Sequence, residues 1–225
     1  RLVALFGPEH GVRGYIQAGE EVGFHHDPKT GLPVYSLYGE VKKPTQAMLE
    51  GVDALVFDLQ DVGCRFYTYL YTLLYALEAA AEFGLPIFVL DRPNPLGGEI
   101  VGYPIPVRYG LTIGELARYF NSVYYIHADL TVVPLSGWKR DEYRLELAMN
   151  WVAPSPNIPK VDTAVVYPGT CFLEGTNLSE GRGTTQPFEN VGAPFIDGDK
   201  LAKVLNSLRL TGVRFRPTSF TPTFS

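Results

Sequence analysis

Short, unbroken apolar runs alternate along the chain with longer stretches in which apolar residues recur every three or four positions. Residues 2–6 (Leu-Val-Ala-Leu-Phe), 53–59 (Asp-Ala-Leu-Val-Phe-Asp-Leu) and 86–90 (Pro-Ile-Phe-Val-Leu) are runs of the first kind, and each predicts a buried strand. Runs that are apolar on both faces suit a parallel sheet covered by helices. Phe66, Leu70, Leu73, Leu74, Leu77 and Ala81 share one side of a helix predicted over 66–83, with Gly84 as its stop. Strand, helix and strand in this order make a βαβ unit.

Thr112 and Glu115 have the spacing of a capping box and predict a second helix from residue 112 through Leu116, Ala117, Tyr119 and Phe120. Further strands are predicted at 130–135, 163–167 and 212–216. A short helix is predicted at 139–149, and another at 199–208 with Asp199 as its cap. Pro154, Pro156 and Pro159 make 151–159 an extended loop, and a Gly- and Thr-rich loop runs to about residue 188. The fold expected is α/β. The alternation of strand and helix carries no more than this, and no internal repeat is present. The chain opens at Arg1 directly on a strand and ends at Ser225 without a closing element, so the expectation is of a piece with more chain on either side.

Composition narrows the classes. Of 225 residues, 46% are hydrophobic and 19% charged, enough to bury a core and to exclude wholesale disorder. A net charge of −5 with no run of Lys or Arg argues against a nucleic-acid surface. No apolar run approaches the roughly 18–20 residues that span a bilayer. Cys64 and Cys171 lie far apart, without the spacing of a zinc or redox motif, and read as two separate thiols.

In an open parallel sheet, ligands bind beyond the carboxyl ends of the strands. The first predicted strand is followed by Gly7-Pro-Glu-His-Gly-Val-Arg-Gly14, the second by Asp58, Asp61 and Arg65, and the third by Asp91, Arg92 and Asn94. The strand predicted near 165 is followed by Tyr167-Pro-Gly-Thr170 and by Glu174-Gly-Thr-Asn-Leu-Ser-Glu-Gly-Arg-Gly183. Four such loops on one edge would make a polar rim. The chain has no G-x-S-x-G elbow, no dinucleotide fingerprint and no P-loop. A metal set of Glu9, His10, Asp58 and Asp61 contains a single imidazole, and no metal is expected. Carboxylates of this kind suit glycoside hydrolysis, in which one carboxyl group protonates the leaving oxygen and a second attacks or activates water. Glu9 is the best acid candidate: Phe6, Pro8 and Val12 can shield it, while Gly7 and Gly11 allow a tight turn. The plainer reading makes it a loop carboxylate bonding nearby amides. For Glu174 and Glu180 the plainer reading is a salt bridge to Arg182 or Arg65, for Asp58 a capping role, and for Tyr67, Tyr69, Tyr71 and Tyr75 packing rather than sugar stacking.

Five motifs stand in order. They are Leu5-Phe-Gly-Pro-Glu-His-Gly-Val-Arg-Gly14, Asp58-Leu-Gln-Asp-Val-Gly-Cys-Arg-Phe-Tyr-Thr-Tyr69, Asp91-Arg-Pro-Asn-Pro-Leu-Gly-Gly98, Ser155-Pro-Asn-Ile-Pro159 and the segment from Tyr167 to Thr185. Together they closely resemble the DUF1343 family, the NamZ-type exo-β-N-acetylmuramidases of glycoside hydrolase family 171. The resemblance implies release of N-acetylmuramic acid from the non-reducing end of peptidoglycan fragments such as MurNAc-GlcNAc. It implies a Rossmann-like, mostly parallel sheet flanked by helices over 1–150, and an active-site loop region with the start of a second, smaller α/β domain over 151–225. It implies a secreted or periplasmic protein; no cofactor is expected. By position, Glu9 is the leading catalytic candidate, with Glu174 and Glu180 next. Arg13, Arg65 and Arg182 are candidates to hold the lactyl carboxylate. Asn157 and Asn177 suit the acetamido group or hydroxyls, and His10, Asp61 and Thr176 complete the candidate substrate-binding set. The competing classes are a non-catalytic muropeptide-binding protein and a metal-assisted hydrolase of another bond. The sequence assigns no oligomeric state.

Overall fold

Two three-stranded sheets organise the first part of the chain. Strands β1 (Leu5–Gly7), β2 (His25–His26) and β3 (Pro33–Ser36) form one, in the order β1-β3-β2, with β1 and β3 parallel and β2 antiparallel. Strands β4 (Leu55–Phe57), β5 (Ile87–Leu90) and β6 (Leu130–Val133) form the other, in that order and all parallel. The first predicted strand therefore does not join the second and third in one sheet. It pairs with β3, a short stretch between Gly31 and Gly39 that the apolar pattern did not single out. This computed structural model describes residues 1–100, 106–141 and 151–222. The chain divides into two compact units, Arg1–Ala164 and Val165–Ser225.

Helices α1 (Tyr69–Phe83) and α2 (Ile113–Val123) complete the βαβ repeats. Leu70, Leu73, Ala76, Leu77 and Ala80 of α1 and Ile113, Leu116, Ala117 and Phe120 of α2 meet Leu55, Phe57, Ile87 and Val89 in one core. Phe6 of β1 packs against the same core. Helix α1 ends where Gly84 takes φ 65°, a left-handed cap that glycine adopts without strain. Helix α2 opens with the predicted capping box: Thr112 Oγ1 accepts from the Glu115 amide, and Glu115 Oε2 accepts from the Thr112 amide.

The expected parallel sheet flanked by helices stands in β4, β5 and β6. Both helices pack on the face of Leu55, Ile87 and Val89, while Val56, Phe88, Thr131 and Val133 of the opposite face are exposed. Three predicted elements also change. Residues 163–167 are not a strand but part of helix α3 (Val161–Thr170). A short apolar run does not distinguish a buried strand from a helix, and here Val161 and Ala164 are buried at helical spacing. Residues 212–216 form no strand: the Asn206 side chain donates to the Phe215 carbonyl (2.7 Å) and accepts from its amide (2.9 Å), filling the place of a ladder partner. Helix α4 (Gly198–Ser207) starts one residue earlier than expected and its cap lies two residues earlier, because Asp197 rather than Asp199 accepts from the Lys200 amide. The helix predicted over 139–149 falls largely in 142–150, outside the described residues.

Candidate active site

The loop that follows β1 is shaped by its glycines. A Cβ on Gly7 would sit 3.2 Å from the Val12 nitrogen and 3.3 Å from the Gly11 Cα, and the Gly11 amide donates to the Pro8 carbonyl at 2.9 Å. The turn places His10 at φ 74°, a left-handed conformation that costs a non-glycine residue about 1–3 kcal/mol and clusters at functional positions. His10 is buried and its Nδ1–H donates to the Ile16 carbonyl at 2.8 Å, which fixes the orientation of the ring.

Glu9, at the crown of the same turn, is half-buried. Its Oε2 accepts from Thr68 Oγ1 at 2.8 Å and its Oε1 from the Gly19 amide at 3.3 Å. The Tyr38 phenol also hydrogen-bonds to Glu9; burial first, and then this carboxylate, raise its pKa. Tyr69 OH lies 2.5 Å from the Pro154 carbonyl and 3.3 Å from that of Glu9. Asn157, in the proline-rich loop, donates to Gln17 Oε1 at 3.1 Å. The loops after β1 and β4 and the loop 151–159 thus meet around Glu9, although β1 and β4 belong to different sheets. Tyr67 and Tyr69 are buried, their rings 4.8 Å apart and each 6.4 Å from the His10 ring. They form a wall, while Tyr71 on the next turn is exposed.

Asp61 lies below this wall. It is buried, with Oδ1 accepting from Tyr109 OH and from the Gly63 amide (2.7 Å), and with no hydrogen-bond partner for Oδ2 among the described residues. Burial raises its pKa to about 6, against the opposing pull of those donors. Arg13 donates to Asp27, and Arg65 stacks its guanidinium 5.2 Å from the Phe66 ring centre. Asp58 binds Arg92 at 2.7 Å. Asp91 accepts from the Gly114 amide at the start of α2, and Asn94 bridges Leu96 and Leu111, so the loop after β5 serves the frame.

In the second unit, Glu174 and Glu180 both face Arg182, at 2.7 and 3.0 Å. Glu180 is buried and Glu174 exposed. Thr176 closes a local turn, donating to the Leu173 carbonyl at 2.7 Å, and Asn177 is exposed beside it. Cys64 and Cys171 form no disulfide; burial, then the nearby Glu174, pushes the Cys171 thiol up to about 11. Among the described residues, no group of three or more His, Cys, Asp or Glu side chains is arranged to hold a metal ion, and no helix is long and apolar enough to cross a membrane. Sequence reasoning missed Thr68, Tyr38 and Gln17. Only Thr68 carried a signal, a hydroxyl residue just before the helical periodicity.

Fold and site together define an α/β protein with a glutamate-centred polar site at its strand ends. Residues 1–162 match the model of the N-terminal domain of the exo-β-N-acetylmuramidase NamZ, and residues 165–225 that of its C-terminal domain. The chain belongs to this family. It is 59% identical over 239 residues to the peptidoglycan β-N-acetylmuramidase NamZ of Bacillus subtilis, with all of this chain and 58% of that protein aligned. Two crystal structures of DUF1343 family proteins from Bacteroides fragilis are similar. One has a TM-score of 0.86 and 44% identity, covering 100% of this chain and 61% of that one; the other has 0.69 and 39%, covering 88% and 56%. The chain therefore spans about three fifths of the length of the relatives it matches.

Proposed function

We propose that this chain carries the acid-bearing part of an exo-β-N-acetylmuramidase that releases N-acetylmuramic acid from the non-reducing end of peptidoglycan fragments. Glu9 is the general acid. The observation that carries the reading is its setting: a half-buried carboxylate at the crown of a glycine-built turn, held by Thr68 and backed by His10, Tyr67 and Tyr69. A general acid needs a fixed position within hydrogen-bond reach of the leaving oxygen, and this frame supplies one. We also propose that the protein acts outside the cytoplasm, secreted or periplasmic, where such fragments arise.

The second function falls to the 2-acetamido group of the substrate. Asp61 is shielded from solvent, and Glu174 and Glu180 are engaged by Arg182, which supports the acetamido oxygen as the internal nucleophile. Its oxygen attacks C1 as the C1–O bond breaks and Glu9 gives its proton to the departing oxygen. Water then opens the resulting oxazolinium with Glu9 as base, and the configuration at C1 is retained.

The test is release of N-acetylmuramic acid from MurNAc-GlcNAc by a protein carrying this chain at the length of its relatives, with and without Glu9→Gln. The expected loss in the variant is at least about a hundredfold, the scale of a removed acid–base group. Equal release by both would move the acid role away from Glu9. Inversion at C1, read by NMR of the fresh product, would exclude the acetamido route.

A further inference from the structure

Thr68 occupies the N-cap position of α1 but does not cap it. A threonine there ordinarily has extended backbone and turns its hydroxyl back onto an amide of the first turn, which contributes about 1 kcal/mol. Thr68 instead has φ −72° and ψ −17°, in the helical region, and its side chain makes no cap bond. Its main chain is nevertheless fixed to the helix, because its carbonyl accepts from the Tyr71 amide at 3.0 Å and the Thr72 amide at 3.1 Å. The hydroxyl is turned instead to Glu9 Oε2, at 2.8 Å. The contrast with Thr112 is direct: that residue opens α2 with ψ 165° and makes a full capping box.

We infer that Thr68 is a positioning residue for the reaction, fixing Oε2 of Glu9 so that Oε1 is the oxygen that exchanges a proton with the glycosidic oxygen. The inference rests on the reading of Glu9 as general acid. Of the two carboxylate oxygens, Oε2 has the 2.8 Å bond to a side chain anchored on a 15-residue helix; Oε1 accepts from the Gly19 amide at 3.3 Å, and the Tyr38 phenol also bonds to the carboxylate. Thr68 thereby ties the rotation of the carboxyl group to α1, which is packed into the core, while Gly19 on the other side is exposed. Freed from Thr68, the carboxyl group can turn away from the leaving oxygen, and a misplacement of about 1 Å can cost on the order of a hundredfold in rate. Substrate binding does not draw on this bond, so the effect belongs in kcat.

The experiment compares Thr68→Val, which keeps the shape and removes the hydroxyl, with Thr68→Ser, which keeps the hydroxyl. Each is made in the parent and in the Glu9→Gln variant of the same protein and assayed on MurNAc-GlcNAc. The expected results are a loss of kcat of roughly 10- to 100-fold for Thr68→Val with KM within about twofold, and near-parental kcat for Thr68→Ser. Thr68→Val should add little when combined with Glu9→Gln, because the group it positions is already gone. Thermal unfolding of each variant separates this from misfolding, and Thr68→Ser carries the test should Thr68→Val fail to fold, with a kcat loss in a folded Thr68→Ser counting against the inference. Unchanged kcat in Thr68→Val, a change confined to KM, or a loss that adds in full to that of Glu9→Gln would overturn it. Undiminished release by Glu9→Gln itself would instead overturn the reading on which it stands.

Discussion

Arg13 grips Asp27 with two nitrogens: Nε reaches Oδ1 at 3.1 Å, while Nη2 reaches Oδ1 at 2.8 Å and Oδ2 at 2.6 Å. The fork that the sequence offered for a substrate carboxylate holds an internal one. Asp27 is 2% exposed and also accepts from the Thr30 amide and hydroxyl, at 3.0 and 2.8 Å. This bonding ties the loop after β1, which carries Glu9 and His10, to the turn between β2 and β3. Its effect on the site is indirect, through the loop's shape.

Asp27 gives a signed pH prediction. Arg13 and then Thr30 hold its carboxyl down, from 3.8 to about 2. A depressed folded-state pKa contributes stability that is present above the unfolded value and is lost as pH falls through the folded value. Asp27→Asn is therefore expected to lower the melting temperature at pH 7, with the gap from the parent closing as pH falls from about 4 toward 2. Melting curves across that range check it, and a gap independent of pH would contradict the charge argument.

What the sequence disclosed depended on whether the signal was local. Gly84 as a helix stop and Thr112 with Glu115 as a capping box are local chemistry, and both stand in the structure where the pattern put them. The turn at Gly7 and Gly11 is likewise readable, because a close approach of backbone to backbone admits no side chain. Pairing is not local. That β1 joins β3 rather than β4 is decided by three residues on each strand, too few for alternation to specify a partner. The strand expected at 163–167 failed for a related reason: Val and Thr favour strands, but burial of Val161 and Ala164 at one-turn spacing outweighed that preference. In the candidate site, the turn that carries Glu9 was legible from its glycines. Thr68, the partner of Glu9, was not, since 59 residues separate them and only the folded chain aims that hydroxyl.

Asp61 carries the opposite sign to Asp27. Burial raises its pKa from 3.8 to about 6, so the folded state binds the extra proton between those values and stability falls as pH rises through them. Asp61→Asn, which cannot ionise, should remove this slope. The difference in unfolding free energy between variant and parent is expected to move in the variant's favour by on the order of 3 kcal/mol from pH 4 to pH 7, about two pKa units of differential interaction. Urea unfolding at several pH values measures it. Parallel curves would show that Asp61 ionises in the folded protein as easily as in the unfolded chain.

Arg182 organises the second unit in a way that a conservative change should expose. Its guanidinium faces Glu174 at 2.7 Å and Glu180 at 3.0 Å, and lies 5.4 Å from the ring centre of buried Phe188. The Glu180 carbonyl accepts from the Phe188 amide at 2.6 Å, so the charge cluster and the apolar anchor are joined through main chain as well. Removing the cation leaves two carboxylates facing each other, one of them buried. Arg182→Gln is therefore expected to destabilise the protein by roughly 1–3 kcal/mol, between the values for exposed and buried pairs. Arg182→Lys should recover only part of this, because a lysine restores the charge without the planar group that stacks on Phe188 and spans two acceptors. Raising the salt concentration should shrink the defect of Arg182→Gln, since Glu174 is exposed and its repulsion is screened. Urea unfolding at low and high salt separates the two contributions: a defect that salt leaves unchanged would assign Arg182 to packing on Phe188 rather than to holding the two glutamates apart.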